Sequence, residues 1–348
     1  MPAASAGTRG ESPTLALLGD CMLGRLVDES LESAPPSYPW GDTLPILHGA
    51  GLRMCNLECV VSDRGKPAHG KVFRFRSSAK NIAVLQAARI NAVSLANNHV
   101  LDYGEDALLQ MLELLDRAGI AHSGAGANLA QASRLATADV CGKKVGLLAF
   151  TDNEPDWEAT AGRPGVFYAP ADLGDRRAQS VVEIVREQRK LCDLLIVSAH
   201  WGSNWGYAPE SGHVEFAHAL VDAGADVIFG HSSHVFRGIE FYNSRPIVYG
   251  AGDFVDDYAV DPIERNDQGF IYIVETPGGI PCGLRLYPTL IRACRVCRAE
   301  GLQERRIVEK MKHLCAPFLT PARWHGAERY LEVGCSAQGE RRPAQATA

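Results

Sequence analysis

The sequence predicts an α/β protein in which mixed β-sheets pack between helices, and three observations predict it. Short apolar runs bounded by Gly or Asp recur, as in TLALLGD (14–20), KKVGLLAF (143–150) and DLLIVSAHWG (193–202), and read as buried strands. Segments with helical apolar spacing lie between them, EDALLQMLELLDRAGI (105–120) being the most regular. Strands first alternate with helices and later follow one another directly, which calls for both parallel and antiparallel pairing.

Taken in order, MPAASAGTRGESP is a polar leader, and TLALLGD is a strand ending in Gly19-Asp20. SAPPSYPW carries three prolines and is a loop. GLRMCNLECVV (51–61) is a second strand that delivers Asn56 and Glu58. KVFRFRSS (71–78) is a short strand with Arg74 and Arg76 on one face, because alternate residues share a side. AKNIAVLQAARI (79–90) is helical, and NAVSLANNHVLDYG (91–104) is a strand opening into a polar loop. Residues 105–120 form a helix with acidic residues in its first turn and Gly119 as its stop. After KKVGLLAF comes a Pro/Gly-rich loop, then a charged helix over about 171–191 and the strand DLLIVSAHWG. A helix over 210–224 precedes DVIFGH, GIEFYN, PIVYGAGDF and GFIYIVE, four strands in succession. One more helix is expected at 303–315, and aromatic-rich loop beyond Pro317. The expected organisation is one domain over 14–290, a helical and loop extension over 291–335 packing on it, and a disordered tail over 336–348.

Composition narrows the function. With 348 residues, 46% hydrophobic and 22% charged, the chain has the make-up of a soluble enzyme. A formal charge of −6 without a long Lys/Arg run excludes a nucleic-acid surface, so a polyanionic partner must be held locally by a few Arg residues or a cation. The leader has no apolar core of a secretory signal, and no stretch reaches the roughly eighteen apolar residues of a membrane span. A cytoplasmic location without membrane attachment is expected; the oligomeric state is not encoded legibly. The ten Cys are scattered, Cys55 and Cys192 inside apolar runs, as reduced thiols are. Cys294-x-x-Cys297 has the spacing of half a zinc site, but no second pair matches it.

Six strand ends carry polar residues: Asp20, Asn56 with Glu58, Asn97-Asn98-His99, His200, His231 with His234, and Asp253. The rim of an open α/β sheet is where ligands sit. Carboxylates, an amide and imidazoles converging there suit a divalent cation, oxygen ligands favouring calcium or magnesium and imidazole favouring zinc, manganese or iron.

The motifs GDCMLGR (19–25), CNLE (55–58), SLANNHVLDYG (94–104), SAHWG (198–202), GHSSH (230–234) and YGAGDF (249–254) resemble those of the CapA family of poly-γ-glutamate capsule proteins. The resemblance implies a divergent calcineurin-like metallophosphatase fold, a four-layer α-β-β-α sandwich with two mixed sheets. It implies metal ligation by Asp20, Glu58, Asn98, His200 and His231, His234 being the last of the family's metal histidines, and a catalytic role for His99. Where the wider superfamily has Asp-x-His, this chain has Met22, which removes a ligand from one of two metal positions. Ser232-Ser233 stands where the family more often has His-Pro, and Asp253 where it more often has Asn.

These departures favour one metal held mainly by oxygens, calcium or magnesium, with His99 and His234 free for acid–base work beside Asp102 and Asp253. An adjacent carboxylate is expected to favour the protonated imidazole. If two metals bind instead, zinc, manganese or iron is expected. Some CapA-like proteins act in ribosomal peptide maturation, which implies a peptide epimerase. Hydrolysis or transfer at γ-glutamyl or other peptide amides is the alternative, and phosphoesterase chemistry is the weaker third. The substrate is then a peptide or polyglutamate, with Arg25 and Arg76 holding a carboxylate and Trp201, Trp205 and Tyr207 forming an aromatic wall.

Overall fold

The computed structural model describes residues 14–334; the leader 1–13 and the tail 336–348 lie outside the described residues. Two mixed sheets face each other. The larger runs Ala322–His325, Tyr330–Gly334, Gly283–Arg292, Gln268–Glu275, Thr14–Cys21, Leu52–Leu57, Ala92–Ser94, Ala121–Ser123. Asp253–Val255 pairs parallel to the end of Thr14–Cys21, and Arg295–Arg298 pairs with Gly283–Arg292. The smaller runs Ile239–Tyr242, Arg245–Val248, Val227–His231, Leu194–His200, Lys143–Thr151, Ala136–Val140, with its three central pairings parallel.

Strand periodicity builds the layers. Leu15, Leu17 and Met54 of one sheet and Leu147, Ile196 and Phe229 of the other meet in a central core. Their neighbours Ala16 and Leu18 turn outward onto Leu108, Met111 and Leu115 of helix Glu105–Ala118. On the other side Leu148, Val197 and Ile228 turn outward onto helices Arg176–Gln188 and Ser211–Asp222. Both faces of each central strand are thus covered, which is why these strands read as unbroken apolar runs. Gly119 ends its helix in the left-handed conformation (φ 68°), as expected of a glycine stop. The result is the four-layer sandwich anticipated from the motifs.

Two segments differ from expectation. Of Lys71–Ser78 only Arg76–Ser77 is strand; the Phe75 N–H is taken by the Asp102 carboxylate at 2.6 Å rather than by a neighbouring chain. Beyond Pro317 the chain is not loop: Ala322–His325 and Tyr330–Gly334 form a hairpin that extends the larger sheet. Helix Gly301–Cys315 does not lie outside the sheets, because its Ile307, Val308 and Met311 enter the central core. Within residues 291–334, Arg295–Arg298, Ala322–His325 and Tyr330–Gly334 join the larger sheet. No helix among the described residues is long and apolar enough to cross a membrane.

Candidate functional site

Parallel strands that end together deliver their last residues to one place. Asp20 is opposite Asn56 and also opposite Asp253, while His200 is opposite His231. The alignment of Asp20 with Asp253 needs glycine. A Cβ on Gly19 would stand 1.9 Å from the Gly252 carbonyl oxygen, and Gly252 itself has φ 74°. That contact lets Asp20 N–H donate to Gly252 O at 3.1 Å and brings the two aspartates side by side.

Among the described residues two groups have ligand atoms within 4.8 Å of one another: Asp20, Glu58 and Asp253, and Asp20, His200 and His231. All five are buried. Asn56 Nδ2 donates to Asp20 Oδ1 at 2.7 Å, and Ser232 N–H donates to Oδ2 at 3.2 Å. Burial raises the Asp20 carboxyl, opposed by the Asn56 bond. Burial, then the Asp20 and Asp253 carboxylates, raise Glu58 well above the usual range; burial and then Asp20 do the same to Asp253. Among the described residues, Glu58 Oε2 and Asp253 Oδ2 have no hydrogen-bond partner. Buried like charges with unused oxygens are a poor arrangement without a countercharge, so this donor set fits a divalent cation. Asn98 Oδ1 is 3.1 Å from His200 Nε2, and the two Nδ1 atoms of His200 and His231 are 2.8 Å apart. With Ser198 Oγ 2.7 Å from His231 Nε2, both rings are fixed, and burial drives His200 well below its usual range and His231 down to about 3.

The other two histidines face a cavity of about 470 Å³ lined also by Arg25, Phe75, Trp205 and Tyr258. His99 Nδ1 lies 2.6 Å from Asp102 Oδ2, and His234 Nδ1 lies 3.0 Å from Asp253 Oδ1. The expected protonation is corrected. Burial outweighs Asp102 and lowers His99 to about 4, and burial also lowers His234. His99 is therefore neutral at pH 7, and its Nε2 lies 3.9 Å from Glu58 Oε1.

The expected substrate contacts divide. Arg25 and Trp205 line the cavity. Trp201 does not: it is fully buried, with its indole N–H donating to the Tyr249 carbonyl at 3.0 Å. Trp201→Ala is expected to destabilise the fold by about 3–5 kcal/mol in chemical denaturation, as a buried aromatic truncation does. Tyr207 is held outside the cavity lining by the Glu264 carbonyl at 2.9 Å and by Lys310. Arg76 lies in an adjoining cleft. Met22 is buried in the outer core, so its position carries packing instead of a ligand. Sequence reading missed Lys71, whose Nζ reaches Asp102 at 2.9 Å, Glu154 at 3.3 Å and the Asn98 carbonyl. It also missed Asp256, a buried carboxyl pushed well up by burial and by Asp253. The acidic pair Asp256-Asp257 just after YGAGDF was the available signal.

Comparison with known proteins adds context. Residues 14–258 match the family model described as bacterial capsule synthesis protein PGA_cap. Over 274 residues the chain is 38% identical to a probable polyglutamine synthesis accessory protein of Mycobacterium tuberculosis, covering 75% of this chain and 72% of that one. It is 29% identical to the PGA biosynthesis protein CapA of Bacillus subtilis, over 70% of this chain and 63% of that one. With the capsule biosynthesis protein CapA of Bacillus anthracis the identity is 28%, over 71% and 60%.

Proposed function

The chain belongs to the bacterial capsule synthesis protein family PGA_cap, and on that premise we propose that it is a cation-dependent enzyme that epimerises a residue of a peptide substrate. The observation that carries this reading is the pair of carboxylate-oriented imidazoles, His99 with Asp102 and His234 with Asp253, lining one cavity beside three buried carboxylates. His99, neutral at pH 7, accepts the Cα proton at Nε2. His234, charged by a proton from solvent against the burial that lowers it, returns that proton to the opposite face, and His99 releases its own to solvent, so no net proton is consumed. Arg25 orients a substrate carboxylate, and Phe75, Trp205 and Tyr258 exclude water. Asp20, Glu58 and Asp253 would hold a divalent cation, which would supply positive charge against the negative charge that develops on the substrate carbonyl.

A second reading has its own support: Asp20 belongs to both candidate ligand groups, as a residue between two cations would. That arrangement suits hydrolysis of γ-glutamyl or other peptide amides. The relatives named for polyglutamine and capsule synthesis fit either reaction.

Incubation of glutamate-containing peptides with the protein in D2O separates the two readings by mass spectrometry and chiral analysis. Deuterium at Cα with an intact chain and an inverted centre is expected. A new amine or free glutamate without Cα exchange would sink the epimerase reading.

A further inference from the structure

Arg237 follows His234 by three positions and is sealed inside the protein, with 2% of its surface exposed. Burial works against its charge, and the Glu210 and Asp152 carboxylates favour it without an ion pair among the described residues. A buried cation must be met by oxygens. Here the carbonyls of one loop meet it: Nε donates to Gly206 O at 3.0 Å, and Nη2 donates to Ser203 O at 3.1 Å and Trp205 O at 3.4 Å. A flat fork serves several carbonyls at once, which the point charge of an ammonium does not. Gly250 keeps the way open for the side chain, because a Cβ there would stand 3.0 Å from Arg237 Cγ and 3.1 Å from Cδ.

Apolar burial does not hold that loop. Ser203, Asn204, Trp205 and Gly206 are all exposed, and Gly202 and Gly206 have φ of 76° and 97°. Exposed segments with few buried contacts open at low cost, so the polar anchors decide the order of this one. Asp152 takes the Gly202 N–H at 3.1 Å, and the guanidinium takes the carbonyls that follow.

Two parts of the cavity depend on the result. Asn204 and Trp205 both line it. Asn204 O accepts the His234 N–H at 2.9 Å, and the Trp205 ring stands edge-on to the His234 ring at 5.5 Å between centres. Arg237 is absent from the cavity lining, yet its bonds run to the residues on either side of Asn204.

We infer that Arg237 is a positioning residue for the reaction in the cavity. It acts through residues 203–206, fixing Trp205 against His234, and so sets how closely the cavity closes on a bound peptide. The inference rests on the reading that this cavity takes the substrate, whichever bond then reacts.

Limited digestion of the full-length protein with chymotrypsin reads the loop, since Trp205 and Tyr207 are its aromatic cleavage points. Arg237→Gln is expected to be nicked there about tenfold faster than the parent, with cleavage elsewhere unchanged. Arg237→Lys, which keeps the buried charge without the fork, is expected to lie between them and serves if the Gln variant does not fold. Nicking at the parent's rate would overturn the inference. Kinetics on the peptide then read the function. Arg237→Lys and Trp205→Ala are each expected to raise KM about tenfold with kcat little changed, and the double variant to lose little more. Additive losses, or an unchanged KM in Arg237→Lys, would overturn the inference, because Arg237 would then not act through Trp205. The digestion needs no turnover, so a failed epimerase reading and a failed role for Arg237 give different results.

Discussion

His99→Ala is expected to lower turnover by about 10²- to 10⁴-fold, the usual contribution of a positioned acid or base. The fold should survive. The loop around His99 is held independently by Asn97, whose side chain bridges Asn56 and the Leu57 carbonyl. Asp102 keeps its bonds to Phe75 N–H and Lys71 after the imidazole is gone. Circular dichroism and melting temperature close to the parent's, with turnover collapsed, is the expected pair of results. Turnover near the parent's would remove His99 from the chemistry. His234→Ala gives a sharper outcome for the epimerase reading: inversion is lost, while Cα exchange into solvent persists for one stereoisomer, because His99 still removes and returns a proton on its own face.

The second large effect is on stability. Removing divalent cations with a chelator is expected to lower the melting temperature, and adding calcium, magnesium, manganese or zinc is expected to restore it. At a hundredfold excess over Kd, ligation stabilises by about 2.7 kcal/mol, which for a chain of this size is a shift of roughly 4 °C. The cause is the buried group Asp20, Glu58 and Asp253, whose charges oppose one another. Glu58→Gln is expected to abolish the shift and lower the bound metal measured by elemental mass spectrometry. Unchanged metal content would exclude Glu58 as a ligand. The pH dependence has a definite sign. These carboxyls titrate higher folded than unfolded, so the folded state keeps protons that the unfolded chain releases above about pH 4. The contribution of these carboxyls to cation-free stability therefore declines as pH rises, and above about pH 6.5, where the buried histidines are neutral folded and unfolded alike, it sets the sign and the stabilisation by cation grows.

Much of the fold is determined locally. Apolar runs such as LALL before Gly19-Asp20 and LLIVSA before His200 form central strands because both of their faces are covered, and a run of that kind is visible without knowing its partners. The polar residue that ends each run then falls at the sheet rim, so Asp20, Glu58, His200, His231 and Asp253 were legible as one set. So was the pair His99 with Asp102, three residues apart, whereas the partner of Asp253 was not, and the fold makes it His234. What the tertiary structure alone decided depends on distant neighbours. Trp201 and Trp205 sit four residues apart in one polar loop, yet one is sealed under the Tyr249 carbonyl and the other lines the cavity. Lys71 reaches Asp102 across thirty-one positions of chain, in a segment with no periodicity to announce it. The protonation of His99 depends on how completely packing removes water, a sum over many residues that outweighs the one carboxylate a motif displays. Tyr330–Gly334 is a strand because the edge of Gly283–Arg292 offers it hydrogen bonds, Ala322–His325 pairs in turn on Tyr330–Gly334, and no local pattern records that edge.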